Sequence, residues 1–265
     1  MEYTPAESRL VYCPVTMSAP YSTSFYDEME DSNLASARAV VPLVLSLVPA
    51  RSVVDIGCGE GLWLKAFSEA GVSDIEGYDG AYVVRENLKI PQEKFNAANL
   101  EEPITLSRIF DLAVCLEVAE HVSDEHSRQL IESLTNAAPV ILFSAAIPGQ
   151  GGVNHVNEQW PKYWQERFKE EGYVPVDCIR HQILDKNEVA FYYAQNILVY
   201  VKEELLARYP RLQEEIESGH GGAPAFVHPQ LYTYYESRWN KIAPLLWKVP
   251  QPLIKLGNKL LKRKH

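Results

Sequence analysis

No two cysteines in this chain form a CxxC pair; the four, Cys13, Cys58, Cys115 and Cys178, lie far apart. Their scatter argues against a disulfide scaffold or a cysteine-based zinc site and for reduced thiols in a cytoplasmic setting. The N-terminal MEYTPAESRLVYCPV lacks the basic-then-apolar order of a secretory leader. No segment reaches the ~18 uninterrupted apolar residues that a membrane-spanning helix requires. Internal repeats are absent as well. Positive charge is scarce outside the C-terminal end. Eight of the 25 basic residues, Arg238, Lys241, Lys248, Lys255, Lys259, Lys262, Arg263 and Lys264, fall in residues 237–265, which hold no acid. The other 17 stand against 35 acidic residues, a formal balance of −18. Such a body is a poor partner for nucleic acid.

What is present suits a folded α/β domain with an appendage. The 265 residues are 46% hydrophobic and 23% charged, and that length buries a full core. Helical spacing of Leu34, Val40, Val41, Leu43, Val44, Leu47 and Val48 predicts a helix over 32–49, followed by a strand Ser52–Ile56 that runs into glycine. The alternation continues with a helix at about 61–70, a strand Asp74–Tyr78, a helix from Ala81 and a weak strand Lys94–Ala97. Then come a strand Asp111–Leu116, a helix Asp124–Thr135 and a strand Val140–Ser144. Strands alternating with helices predict a parallel, doubly wound sheet of Rossmann-like type. Beyond it a helix is expected over Trp160–Glu171, its Trp160, Tyr163, Trp164 and Phe168 reading as core. Two extended runs, Val174–Ile179 and Ala190–Val201, suggest a terminal antiparallel hairpin. The boundaries expected are an N-terminal extension or lid over 1–31, the main domain over 32–202 and a helical extension over 203–265. Ser218–Pro229 is the candidate linker.

The chemistry gathers at strand ends. In Asp55-Ile56-Gly57-Cys58-Gly59-Glu60-Gly61, glycines let backbone approach a ligand where a Cβ would collide. A GxGxxG fingerprint needs its third glycine at position 62, where Leu62 stands, and Asp55 suits a ligand that carries a cation better than a pyrophosphate. Asp79-Gly80 closes the second strand, where an acid accepts ribose hydroxyls. Asn99-Leu100 follows the third, where an amide meets an adenine edge, and Glu117 follows the fourth. Ligands of open α/β sheets bind beyond the carboxyl ends of strands, so these groups converge on one crevice.

Over roughly residues 32–202 the chain resembles the class I S-adenosylmethionine-dependent methyltransferases: VVDIGCGEG matches their cofactor loop, EGYDG the ribose-binding strand end and FDLAVCLEVAEHV the segment after the fourth strand. The resemblance implies S-adenosylmethionine as cofactor and a seven-stranded sheet whose last strand is antiparallel. Asn99 departs from the aspartate that the family often places before Leu100; an amide still hydrogen-bonds an exocyclic amine. The polar segment Phe143–Pro161 leaves the fifth strand toward the same crevice. It resembles a bacterial subgroup of polysaccharide and natural-product glycosylation pathways, which implies a sugar hydroxyl as acceptor.

A hydroxyl needs a base, and His155 is the first candidate, with Glu117 and His121 behind it and Asn157, Glu158 and Gln159 as acceptor-binding groups. The Glu120-His121 pair reads first as the start of the following helix. His155 and Glu158 are two residues and do not make a metal site, so no metal is expected. N-methylation of an amine and a non-catalytic cofactor-binding scaffold remain the alternatives. In residues 251–265 one helical arc carries Lys255, Lys259, Lys262 and Arg263 and the other Leu253, Ile254, Leu256, Leu260 and Leu261. This pattern suggests contact with the inner membrane face, where a lipid-linked saccharide would be the partner.

Overall fold

The computed structural model describes residues 23–246, with side chains described for residues 31–240. Seven strands form one sheet: β1 (Ser52–Ile56), β2 (Asp74–Asp79), β3 (Phe95–Ala97), β4 (Leu112–Leu116), β5 (Val140–Ser144), β6 (Tyr173–Val176) and β7 (Leu198–Lys202). Their spatial order is β3-β2-β1-β4-β5-β7-β6. Strands β1 to β5 pair in parallel, while β7 runs antiparallel to both β5 and β6. The order reverses between β1 and β4, the kind of switch point beyond whose carboxyl ends open α/β sheets bind their ligands.

Helices cover both faces. On one side α1 (Thr23–Leu47) and α2 (Leu62–Glu69) lay Val40, Val44, Leu64 and Phe67 against Val53, Leu112, Val114 and Leu142. On the other, α3 (Asp124–Ala137) and α4 (Pro161–Glu170) lay Leu130, Leu134, Trp164 and Phe168 against Val54, Ala113, Cys115, Ile141 and Phe143. Neighbouring residues of β4 and β5 thus enter opposite cores, which is why these strands read as unbroken apolar runs. Trp164 and Phe168 are core, as expected, whereas Trp160 precedes α4 and stays 43% exposed. Cys58, Cys115 and Cys178 are buried free thiols.

Three expectations differ from the structure. No α-helix follows Ala81: the segment makes turns, with single 3₁₀ turns at Arg85–Asn87 and Gln92–Lys94. Val83 and Val84 are β-branched and Pro91 interrupts the stretch, while Val83, Leu88 and Ile90 reach the core and Tyr82 and Val84 stay exposed. The run 190–201 is not one strand. Its first half is α6 (Phe191–Asn196), preceded by the short α5 (Arg180–Ile183), and only Leu198–Lys202 joins the sheet. β6 and β7 are antiparallel neighbours, but these helices connect them in place of a tight turn. Finally, α1 begins at Thr23 rather than Ser32.

After β7, α7 (Pro210–Glu215) buries Leu212 in the same core as α1 and α2, so residues 203–226 pack with the sheet. The chain divides into compact units at Phe226 and Val227, not at residue 202. The second unit contains α8 (Pro229–Leu246), which exposes Tyr232, Tyr235 and Trp239. Residues 1–22 and 251–265, where the lid and the basic tail were expected, lie outside the described residues. No helix among the described residues is long and apolar enough to cross a membrane.

Candidate active site

The turn after β1 is held from β2: the amides of Gly57 and Cys58 donate to the Tyr78 carbonyl at 2.8 and 3.1 Å. Gly57 has φ +90°, and a Cβ there would sit 2.3 Å from Val118 Cγ2, so this position admits only glycine. Gly59 differs. Its φ is +52°, but a Cβ would meet nothing within 4 Å among the described residues, so a side chain here would enter open space. Cys58 contributes backbone only, because its thiol packs where a Cβ on Gly77 would be, 2.7 Å from Sγ, and burial holds it protonated.

Asp79 ends β2 at 4% exposure. Its Oδ2 accepts the Gly59 amide at 2.6 Å, and its Oδ1 accepts the Gly80 amide at 2.6 Å and the Tyr82 hydroxyl at 2.5 Å. The carboxylate therefore ties the two glycine turns together. Asp55, 3% exposed, has its carboxyl pushed well above the usual carboxylate range by burial and by the charge of Asp79. Asn99 is exposed; its Nδ2 donates to Glu102 Oε1 at 3.1 Å and its Oδ1 accepts the Glu101 amide at 3.2 Å, so its amide serves a local turn. Leu100 packs against the core on the α3 side.

Glu117 follows β4 in the left-handed region, φ 55°, uncommon for a residue other than glycine, asparagine or aspartate. Its amide donates to the carbonyl and the hydroxyl of Ser144 at 3.1 and 3.0 Å. Its carboxylate accepts Gln150 Nε2 at 2.8 Å and Asn196 Nδ2 at 3.0 Å. Gln150 Oε1 in turn accepts Asn196 Nδ2 and Gln195 Nε2, both at 2.9 Å. Burial raises the Glu117 carboxyl, while Asn196, Ser144, Gln150 and nearby His155 pull it back. The sequence reading missed Gln150, Gln195 and Asn196. The available signal was an adjacent Gln-Asn pair inside an otherwise apolar run.

The turn Ala119–His121 carries the rest. The Glu120 carbonyl accepts the amides of Val156 and Asn157 at 2.9 and 3.0 Å, which staples the loop after β5 onto this turn. His121 and His155 thereby meet edge to face, centroids 4.8 Å apart. His121 Nδ1 lies 3.3 Å from the Asn154 carbonyl, and His155 Nδ1 lies 2.9 Å from Glu158 Oε1. Burial and neighbouring His155 lower the His121 pKa. Glu120 is fully buried, and burial beside Glu117 raises its carboxyl strongly.

Glu158 is not an open acceptor-binding group. It also takes the amides of Gly149 and Gly151, each at 2.7 Å, and so shapes the loop and aims His155. Gln159 Nε2 donates to Asn157 Oδ1 at 2.9 Å, and the buried Asn157 amide nitrogen faces the Tyr163 hydroxyl. The structure thus brings together Asp55, Asp79, the glycine turn, Glu117, His121 and His155 at one sheet edge; Asn99 follows Ala98, whose amide bonds the Asp79 carbonyl at 2.8 Å.

The methyltransferase domain family matches residues 29–176. The chain belongs to the class I S-adenosylmethionine-dependent methyltransferases. A curated relative, the ubiquinone biosynthesis O-methyltransferase of Bordetella avium, is 29% identical over 37% of this chain and 46% of its own length, so the match spans less than half of that relative. Solved structures share the methyltransferase fold. The sugar N-methyltransferase KedS8 of Streptoalloteichus has a TM-score of 0.53 at 15% identity, covering 72% of this chain and 99% of that one. CalS10, an amino pentose methyltransferase from Micromonospora echinaspora, has 0.51 at 14% identity, covering 71% and 100%. DesVI of Streptomyces venezuelae has 0.51 at 14% identity, covering 67% and 95%.

The cofactor of the methyltransferase is S-adenosylmethionine, and the site fits it. The open space over Gly59 admits a ligand against backbone, the Asp79 carboxylate at the β2 end suits ribose hydroxyls, and the acids Asp55 and Glu117 suit a cationic sulfonium and amine.

Proposed function

We propose that this methyltransferase methylates a hydroxyl oxygen of a saccharide or related acceptor, and that the acceptor proton is lost at His155. The observation that carries the reading is the anchored imidazole: His155 Nδ1 lies 2.9 Å from Glu158 Oε1, an anchor that leaves the ring's Nε2 as the nitrogen to take the acceptor proton. Bound S-adenosylmethionine supplies an electrophilic methyl group on a sulfonium. The chain's own residues position: Asp79 and the Gly57–Gly61 turn orient the nucleoside, and Glu117, held by Gln150 and Asn196, presents a fixed acid. Such positioning supplies much of the rate of an in-line displacement. Because a neutral hydroxyl is a poor nucleophile, the imidazole adds what positioning cannot.

Saccharide chemistry is supported by the sugar and amino pentose methyltransferases among similar structures, and oxygen as the target by the ubiquinone biosynthesis relative. Those sugar enzymes also favour a second reading, methylation of an amino sugar nitrogen, for which a neutral amine needs no strong base. A lipid-linked acceptor, reached at an inner membrane face through residues 251–265, belongs to the same proposal.

The experiment is a screen of nucleotide sugars, amino sugars and lipid-linked saccharides for S-adenosylhomocysteine release, with the methylated atom assigned by NMR. An O-methyl sugar is the expected product. An N-methyl product selects the second reading, and no release with any saccharide sinks both.

A further inference from the structure

Glu120 is buried completely; the Ala146 backbone and the Glu117 carboxyl lie near its carboxyl group, but neither of its oxygens completes a well-formed hydrogen bond among the described residues. Buried carboxylates are otherwise paired, hydrogen-bonded or bound to a cation. Here the potential partners are two imidazoles. One ligating atom each from Glu120, His121 and His155 lies within 4.8 Å of the others. Neither ring spends its Nδ1 on Glu120, since His121 uses it on the Asn154 carbonyl and His155 on Glu158. An imidazole anchored at Nδ1 by an oxygen and free at Nε2 is the arrangement that metal-binding histidines adopt, with the anchor acting as the outer support. Backbone bonds from Val156 and Asn157 to the Glu120 carbonyl hold the two histidine-bearing segments together independently of any ion.

We infer that Glu120, His121 and His155 bind a divalent transition-metal cation such as Zn²⁺, Mn²⁺ or Co²⁺. The donor set of two imidazoles and one carboxylate suits these ions better than Mg²⁺ or Ca²⁺. Sequence reading set His155 beside Glu158 and found too few ligands. The structure commits Glu158 to the loop and replaces it with Glu120 and His121. Three protein ligands leave a coordination position open, as in catalytic sites.

The cation's task rests on the oxygen-acceptor reading above and replaces only its proton step: the open position would take the acceptor hydroxyl, its proton would pass to water, and the oxygen would take the methyl group as S-adenosylhomocysteine leaves. In that case the hydroxyl is acidified by the cation, and His155 acts as a ligand.

Binding is tested on the full chain, stripped with EDTA and without donor or acceptor, by calorimetry with Zn²⁺ and Mn²⁺ and by visible absorption with Co²⁺. One equivalent is expected, with Glu120→Gln and His121→Ala each weakening it at least 10-fold. His181→Ala, in the separate His181, Glu215, His220 group, should leave it unchanged. Should Glu120→Gln fail to fold by circular dichroism, His121→Ala carries the test. Absence of saturable binding, wild-type binding by the Glu120 and His121 variants, or loss of binding in His181→Ala overturns the inference. Full turnover in the stripped chain also overturns it and leaves His155 as a direct base. Metal binding without methyl transfer to any saccharide retains it and overturns the acceptor reading.

Discussion

At the scale of single residues, Asp55 separates stability from function. Its carboxyl is raised by burial and by Asp79, so the folded chain holds this proton to higher pH than the unfolded chain does. Between the unfolded pKa, about 4, and the raised folded value, stability therefore falls as pH rises. Asp55→Asn removes that penalty: the apo chain should melt higher than wild type at pH 7, with the gain gone by about pH 4, while S-adenosylmethionine binds more weakly. A lower melting point at pH 7 in this variant contradicts the assignment. Gly57 and Gly59 make a second contrast. Gly57→Ala drives a Cβ into Val118 at a positive φ and should cost about 2–4 kcal/mol of stability, read by thermal unfolding. Gly59→Ala meets no atom and should cost only about 1 kcal/mol, yet calorimetry should show roughly 10-fold weaker cofactor binding, because its methyl enters the ligand's space. Equal effects of the two changes on stability would be inconsistent with that geometry.

At the scale of elements, what the sequence displayed was what a period displays. The β-branched runs of β1, β4 and β5 and the glycine after β1 were legible because the central strands are buried on both faces and end at a turn. The segment after Gly80 was not: its order comes from Asp79 gripping Tyr82 and the Gly80 amide, a contact between neighbours with no periodic trace. Nor was α6, where Gln195 and Asn196 sit in a helix because their amides complete the Glu117–Gln150 network. His155 was legible as a polar loop residue, but its meeting with His121 depends on two backbone bonds to the Glu120 carbonyl, which no residue type announces. The loop makes its own prediction. A Cβ on Gly152 would lie 2.1 Å from His155 Nε2, so Gly152→Ala must turn the flexible imidazole aside. Turnover should fall at least 10-fold, with the melting temperature and cofactor affinity near wild type; unchanged turnover contradicts the placement of His155.

For the whole molecule, acidic body and basic C-terminal end divide the work. A formal −18 over residues 1–236 repels an anionic surface, whereas the last 29 residues carry only positive charge. Our proposal that residues 251–265 bring the methyltransferase to an anionic membrane predicts that the full chain co-sediments with phosphatidylserine vesicles at low salt and that truncation after Pro250 abolishes this. Equal sedimentation of both sinks it. The central claim, though, concerns the sheet edge, where cofactor groups from β1, β2 and β4 meet the imidazole pair. Its most direct test is S-adenosylhomocysteine release with a saccharide acceptor by wild type and His155→Ala, with cofactor affinity measured alongside. The account predicts release about 100-fold slower in the variant with S-adenosylmethionine binding unchanged; equal release by the two proteins contradicts it.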